Sequence, residues 1–361
     1  MAIRPILPLL ALGLVGMPAL MAQCATAQNL TTSVCYTTIQ DAINAANPSD
    51  TIAVSPGTYP ESITIPASKT NLVLQSTNGA SVTTISGTQG STAGGPAAIV
   101  VDIQANGVIF GGTNRGFTVT QASSALPSGG IIGIHVGPNV TRVRIEANVV
   151  RQLVPGATST LKETVMGMWA ESGSQVLVVS NIVGTTNWAW KGSNGGQPGG
   201  GIKLDGTSLV RHNTVRGFSA GGQCGHVVGV SVAGPATVVD NGIFDMGIGN
   251  CGAIGITTAN AATKVMGNTI GGMATAGISM SGGNAEGNTI TSSNLNVFSL
   301  LIQTPGIFKY NNMIGGQVSN VSGATVDLTN NYWGCPTGPG TVGSCTAFDG
   351  DDPVVPFLST P

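Results

Sequence analysis

A four-residue pattern, glycine then an apolar residue, any residue and a second apolar or β-branched one, recurs through the middle of the chain. It reads Gly133-Ile-His-Val, Gly167-Met-Trp-Ala, Gly201-Ile-Lys-Leu, Gly229-Val-Ser-Val, Gly255-Ile-Thr-Thr and Gly277-Ile-Ser-Met. Eleven to fifteen residues after each glycine comes an asparagine with a short β-forming pair, at Asn148, Asn181, Asn213, Asn241, Asn268 and Asn288. Asn312-Met-Ile and Asn331-Tyr-Trp extend the series. The glycine-to-glycine steps of 34, 34, 28, 26 and 22 residues are too short for independent domains and too uneven for helical hairpins. They fit the coils of a β-solenoid. One such coil cannot bury its apolar side until a neighbour stacks on it about 4.8 Å away. Asparagine suits the sharp corner because it tolerates the left-handed region and its amide can bond the amides above and below. Glycine is expected at the other corners.

Composition agrees with an all-β chain. Of 361 residues, 41% are hydrophobic, 8% charged and only 4% aromatic, so Val, Ile, Leu, Met and Ala must fill the interior. So apolar and weakly charged a chain is not disordered, and its 54 glycines show no collagen period. A net charge of −2 offers no basic surface for a phosphate backbone, which excludes nucleic acid as a partner.

Residues 1–27 have the layout of a secretory signal peptide: Arg4, an apolar run from Ile6 to Ala22, then small residues to Ala27. Pro8 and Pro18 interrupt the run, which argues against a membrane anchor, and no later stretch would span a bilayer. Cleavage is expected between about residues 22 and 27, leaving 28–361 as one secreted, periplasmic or cell-surface domain, expected to be a monomer. In an oxidising compartment Cys24, Cys35, Cys224, Cys251, Cys335 and Cys345 would form nearest-neighbour disulfides. Cleavage after Ala27 would discard Cys24; cleavage near Ala22 would keep it. With no Cys-x-x-Cys and three histidines, no cysteine metal site is expected.

The open ends of a β-stack need covering. Ile39, Ala42, Ile43 and Ala46 fall on one helical face, with Thr38 and Asp41 spaced as a capping box. This helix, within a cap over 35–50, would lid the first coil. The run from Tyr36-Thr-Thr-Ile-Gln-Asp-Ala-Ile through Val54-Ser-Pro-Gly-Thr-Tyr-Pro-Glu61 resembles the opening of right-handed parallel β-helix repeat proteins of the pectate-lyase-like superfamily. Asn330-Asn-Tyr-Trp-Gly-Cys-Pro-Thr-Gly-Pro-Gly340 with Pro353-Val-Val-Pro-Phe357 is similar to their last coil, here about 328–358. The resemblance covers about residues 35–358 and implies a right-handed parallel β-helix. It implies no single activity, because that scaffold carries lyases, hydrolases, epimerases and non-catalytic surface proteins. The chain lacks the Asn-Thr-Asp, Gly-His-Gly and Arg-Ile-Lys signatures of polygalacturonases and the Asp-Pro-His-Glu of alginate epimerases.

Strand alternation selects the candidate site. The x position of each pattern, and the residue two further on, should point outward. The first row reads His135, Trp169, Lys203, Ser231, Thr257, Ser279; the second Gly137, Glu171, Asp205, Ala233, Ala259, Ser281. Reactive side chains therefore fall on three rungs. Glu171 and Asp205, one rung apart, would act as acid and base or nucleophile on a glycoside. Lys203 or His135 would instead serve as the base of a β-elimination. The plain alternative is a surface ion pair of Lys203 with Asp205 or Glu171. The longest stretches between coils border the same rungs, where long loops concentrate binding sites. One of them holds Trp188 and Trp190, which with Trp169 would stack on sugar rings. Asp349, Asp351 and Asp352 are the only candidates for Ca2+, and turn contacts are the simpler role for them; no other cofactor is indicated.

The expected function is an exported protein that binds a polysaccharide or cell-surface glycan, with or without cleaving it by hydrolysis or elimination; the alternative is a non-catalytic adhesive solenoid. Cys224 and Cys251 follow Asn213 and Asn241 by 11 and 10 residues, nearly the same place in successive coils. Non-reducing peptide mapping should recover them as one cross-linked peptide pair; two free thiols would refute the register.

Overall fold

The computed structural model describes residues 24–88, 98–121, 130–153, 165–184, 189–190, 199–217, 219–220, 227–246, 252–294, 296–340, 345–348 and 350–361. Nearly every strand pairs in parallel with the strand one coil away, so that three long sheets run the length of the stack. The first sheet runs from Thr51–Val54 to Phe308–Lys309, the second from Gly57–Tyr59 to Asn312–Ile314, and the third from Ile63–Ile65 to Ala347–Phe348. The chain is a parallel β-helix. In the third sheet the inward column Val101, Ile134, Met168, Ile202, Val230, Ile256, Ile278 and Leu300 is continuous and buried.

The repeated glycine stands inside the third-sheet strands, while other glycines, Gly184, Gly217 and Gly272 among them, take a positive φ where the chain leaves a strand. A Cβ on Gly167 would lie 2.3 Å from Val183 Cγ1 and 2.6 Å from the carbonyl oxygen of Gly201; one on Gly255 would lie 2.5 Å from that of Gly277. On the six glycine rungs the interior is too narrow at this column for a side chain, because the β-branched residue two after each asparagine fills the space opposite; Val100 and Ser299 take the same column in other coils.

The asparagine itself does not take the left-handed conformation. The residue before it does: φ is 57° at Ala147, 56° at Ser180, 55° at His212, 54° at Asp240 and 64° at Gly267. That turn swings the asparagine side chain into the interior, where Asn148, Asn181, Asn213, Asn241, Asn268, Asn288, Asn311 and Asn331 are all buried. Each Nδ2 donates to the next asparagine's Oδ1 at 2.9–3.2 Å. Each Oδ1 from Asn181 onward also accepts the preceding ladder residue's backbone N–H at 2.8–3.1 Å. The ladder runs through Asn311, not Asn312 as the sequence pattern suggested. Asn312 aligns with Thr289, and Met313, two residues after Asn311, fills the buried position.

The first coil is covered as anticipated. Helix α1, Ile39–Ala45, is capped by Thr38, whose hydroxyl accepts from the Asp41 N–H at 3.0 Å, and buries Ile39, Ala42 and Ile43. The Glu61 carboxylate accepts from the Ile39 and Gln40 N–H groups, each at 3.0 Å, satisfying donors that the helix start leaves free. The Gln40 amide meets both polar backbone groups of Thr64 at 3.0 and 2.8 Å, substituting for a strand along the edge of the third sheet. An antiparallel hairpin, Ala27–Asn29 with Val34–Tyr36, covers the first sheet's edge and is tied by the Cys24–Cys35 disulfide. Cys335–Cys345 staples the far end; Cys224 and Cys251 lie outside the described residues. There the tail after Pro353 runs beside the last coil, Leu328 N–H donating to Pro353 O at 3.0 Å and Leu358 N–H to Asn331 O at 3.0 Å.

Asn311→Ala should destabilise the protein by at least about 2 kcal/mol, because it leaves the buried Asn288 amide without its acceptor. Asn312→Ala, at a half-buried position whose Oδ1 has no partner, should stay within about 0.5 kcal/mol. Urea melts of the two variants check the register; equal losses would contradict it.

Candidate functional site

Four consecutive third-sheet strands carry the candidate face: β1 (Ala98–Ile103), β2 (Ile131–Val136), β3 (Val165–Ala170) and β4 (Gly199–Leu204). Their pairing aligns Asp102, His135, Trp169 and Lys203 in one outward row, continued by Ser231, Thr257 and Ser279. Parallel register makes the row a property of the backbone, since each apolar neighbour is held in the core column.

Asp102 had not been anticipated. Its rung reads Val100-Val101-Asp102-Ile103, with valine where later rungs have glycine, so the glycine pattern passes over it. The readable signal was an aspartate between two buried β-branched residues, a position that must face outward.

The Asp102 carboxylate lies 2.8 Å from His135 Nδ1, and the Glu171 carboxylate 2.9 Å from His135 Nε2. The histidine is 6% exposed, whereas the side chains of Asp102 and Glu171 are 21% and 34% exposed. A carboxylate only accepts, and a neutral imidazole has one N–H, so donating to both partners takes the protonated ring. Burial, the largest influence, disfavours that charge; hydrogen bonds and charge from Asp102 and then Glu171 outweigh it and raise the His135 pKa above 6.5. Gln104 Nε2 donates to Asp102 Oδ1 at 2.7 Å, fixing the carboxylate that faces Nδ1. Gln104 leans across Gly137, where a Cβ would lie 2.1 Å from its Oε1.

One rung on, Trp169 Nε1 donates to Asp205 Oδ2 at 2.9 Å, and Lys203 Nζ donates to the same oxygen at 3.0 Å. Lys203 Nζ also stands 4.5 Å from the Trp169 ring centre, and that ring meets His135 edge-on at 5.6 Å. Glu171 and Asp205 occupy neighbouring register positions but do not bond each other. Each reaches back toward the preceding rung, Glu171 to His135 and Asp205 to Trp169. The expected Lys203–Asp205 ion pair is present, embedded in this larger chain of contacts.

Trp188 lies outside the described residues. Trp190 belongs to a short strand, Ala189–Trp190, which pairs in parallel with Ser219–Ala220, so the excursions of two successive coils also stack. Of the acidic residues near the C-terminus, Asp349 lies outside the described residues, and Asp352 accepts from Val326 N–H and Asn320 Nδ2, each at 2.9 Å, tying the last coil. Among the described residues no group of three or more His, Cys, Asp or Glu is placed to hold a metal ion.

No protein-family model and no curated protein matches the chain. Among solved structures it is similar to the Dettilon tailspike protein, with 12% identity and a TM-score of 0.40 over 82% of this chain. The chain spans 61% of that protein's length.

Because folding raises the His135 pKa, the group stabilises the protein fully below its unfolded value near 6.5, and this contribution is lost as pH rises through the higher folded value. Urea midpoints across that window should fall with pH in the wild type and flatten in His135→Gln. Parallel curves for the two proteins would show that the ring is not held protonated.

Proposed function

We propose that the protein is an exported glycan-binding β-helix whose 102–205 face acts on the bound chain through Glu171 and Asp205. The observation that carries this reading is the Asp102–His135–Glu171 array continuing into Trp169, Lys203 and Asp205. Every described ionisable side chain on this outer surface of β1 to β4 takes part, while the following rungs are small. Glu171 is the most exposed of the acids flanking His135, and His135 Nε2 holds its Oε1. In the acid form, that contact directs the carboxyl proton to the outward oxygen, the one able to meet a glycosidic oxygen. Asp205 Oδ2 accepts from two donors, which anchors it as the acceptor partner. Asp102 and His135 are positioning residues. Trp169, half-buried beside Asp205, supplies ring surface for sugars, a role that the sequence pattern alone also assigns to Trp188 and Trp190.

Export is part of the same reading. Disulfides persist in oxidising compartments, and removal of a leader on the Ala22 side of the expected window keeps Cys24 for its bond to Cys35. Among the described residues no helix is long and apolar enough to cross a membrane. The coils are assigned as right-handed, the hand that parallel crossover connections nearly always take, and as belonging to the pectate-lyase-like superfamily on the sequence resemblance of both caps.

With a polysaccharide panel as substrate, Glu171→Gln and Asp205→Asn should each abolish turnover of the polymer that the wild type cleaves, while that polymer is still bound and the protein still folds. Trp169→Ala should weaken binding by about 1–3 kcal/mol, the worth of an aromatic stack on a ring. Full turnover in the double carboxylate variant would remove the pair from the mechanism. Adhesion to cells with no turnover of any glycan would favour the non-catalytic solenoid.

A further inference from the structure

Resting on that reading of the face, we infer that the glycan is uncharged and that its bond is broken by hydrolysis, not by β-elimination. Elimination from a uronate requires a base with a free lone pair to take the proton beside the carboxyl group, and a cation to neutralise that group. The two bases suggested by the sequence offer neither. Both ring nitrogens of His135 face acceptor-only carboxylates at 2.8 and 2.9 Å, so both carry protons and no lone pair is left for a substrate. Lys203 makes the contacts of an ammonium ion: 3.0 Å from Asp205 and 4.5 Å from the Trp169 ring centre.

The same two groups are the cations of the described face, and both are engaged. Against them stand Asp102, Glu171 and Asp205, so until Glu171 takes up a proton the described cluster carries one more negative charge than positive. A polyuronate would bring its carboxylates against that excess, with no described cation on this face left unengaged to meet them. A neutral sugar meets no such repulsion, and its hydroxyls find acceptors in the carboxylate oxygens.

Hydrolysis uses what is present. Glu171, ionised while the substrate binds, first takes a proton from solvent on its outward oxygen, its other oxygen still accepting from His135; the glycosidic C–O bond then breaks as its oxygen takes that proton. Water adds its oxygen to the anomeric carbon and gives a proton to Asp205. Solvent then returns the proton balance, and no oxidant, reductant or metal enters the step.

The test exposes the full-length protein to dextran, galactomannan, polygalacturonate and alginate in affinity electrophoresis, at low salt and at about 0.15 M salt. It then follows new reducing ends and the ultraviolet absorbance of an unsaturated product. Retardation by a neutral polymer at least about tenfold stronger than by either polyuronate, with reducing ends and no unsaturated product, is the expected result. Glu171→Gln, which removes one negative charge, should strengthen polyuronate retardation at low salt. Preferential binding of a polyuronate by the wild type, or an unsaturated product, would overturn this inference while leaving a glycan-binding face intact. Binding of none of the four polymers would overturn both.

Discussion

The asparagine ladder is the interaction on which the rest of the structure depends. Backbone pairing between parallel strands repeats every two residues and by itself tolerates slippage, which would move every side chain to the opposite surface. The buried amides do not tolerate it. Each must meet the amide of the next coil and the carbonyls beside it, and a slip of one residue would leave several buried polar groups unpaired. The left-handed residue before each asparagine serves the same end, because only that turn brings the amide inward.

With one corner held in register, the third sheet follows. On the glycine rungs there is no room for a side chain between the coils and the β-branched residues opposite, so these strands cannot drift inward. The outward row then becomes a straight line of side chains spaced by the strand separation. Asp102, His135, Trp169 and Lys203 are 33 or 34 residues apart in sequence, yet each stands beside the next. Chemistry at this face is therefore a consequence of the ladder.

The two ends solve the problem that any such stack creates. Gln40 and the Ala27–Tyr36 hairpin occupy the first edges, and the tail beyond Pro353 occupies the last. Coil edges that would otherwise pair with another chain are thus partly covered. The capping helix was readable from spacing alone, because Ile39, Ala42 and Ile43 obey the helical period and Thr38 precedes them. The role of Gln40 was not, since it depends on where Thr64 arrives from another coil.

Much of the architecture was legible because a solenoid writes its period into the chain: a recurring glycine, a recurring asparagine and alternating apolar residues determine that coils stack and which side chains face out. That was enough to select His135, Trp169, Glu171, Lys203 and Asp205 as one surface. What the linear pattern could not determine was contact between coils. Asp102 was missed because Val100 occupies the glycine column, and Asn312 was taken for Asn311 because both are followed closely by Met313. The two carboxylates stand one rung apart, but the pattern did not tell that each leans toward a donor on the preceding rung. These outcomes share one cause. Sequence alternation determines the side of the sheet on which a residue lies, but the partner it finds there is set by the register between coils, and only the folded stack, with its buried amides, decides that register.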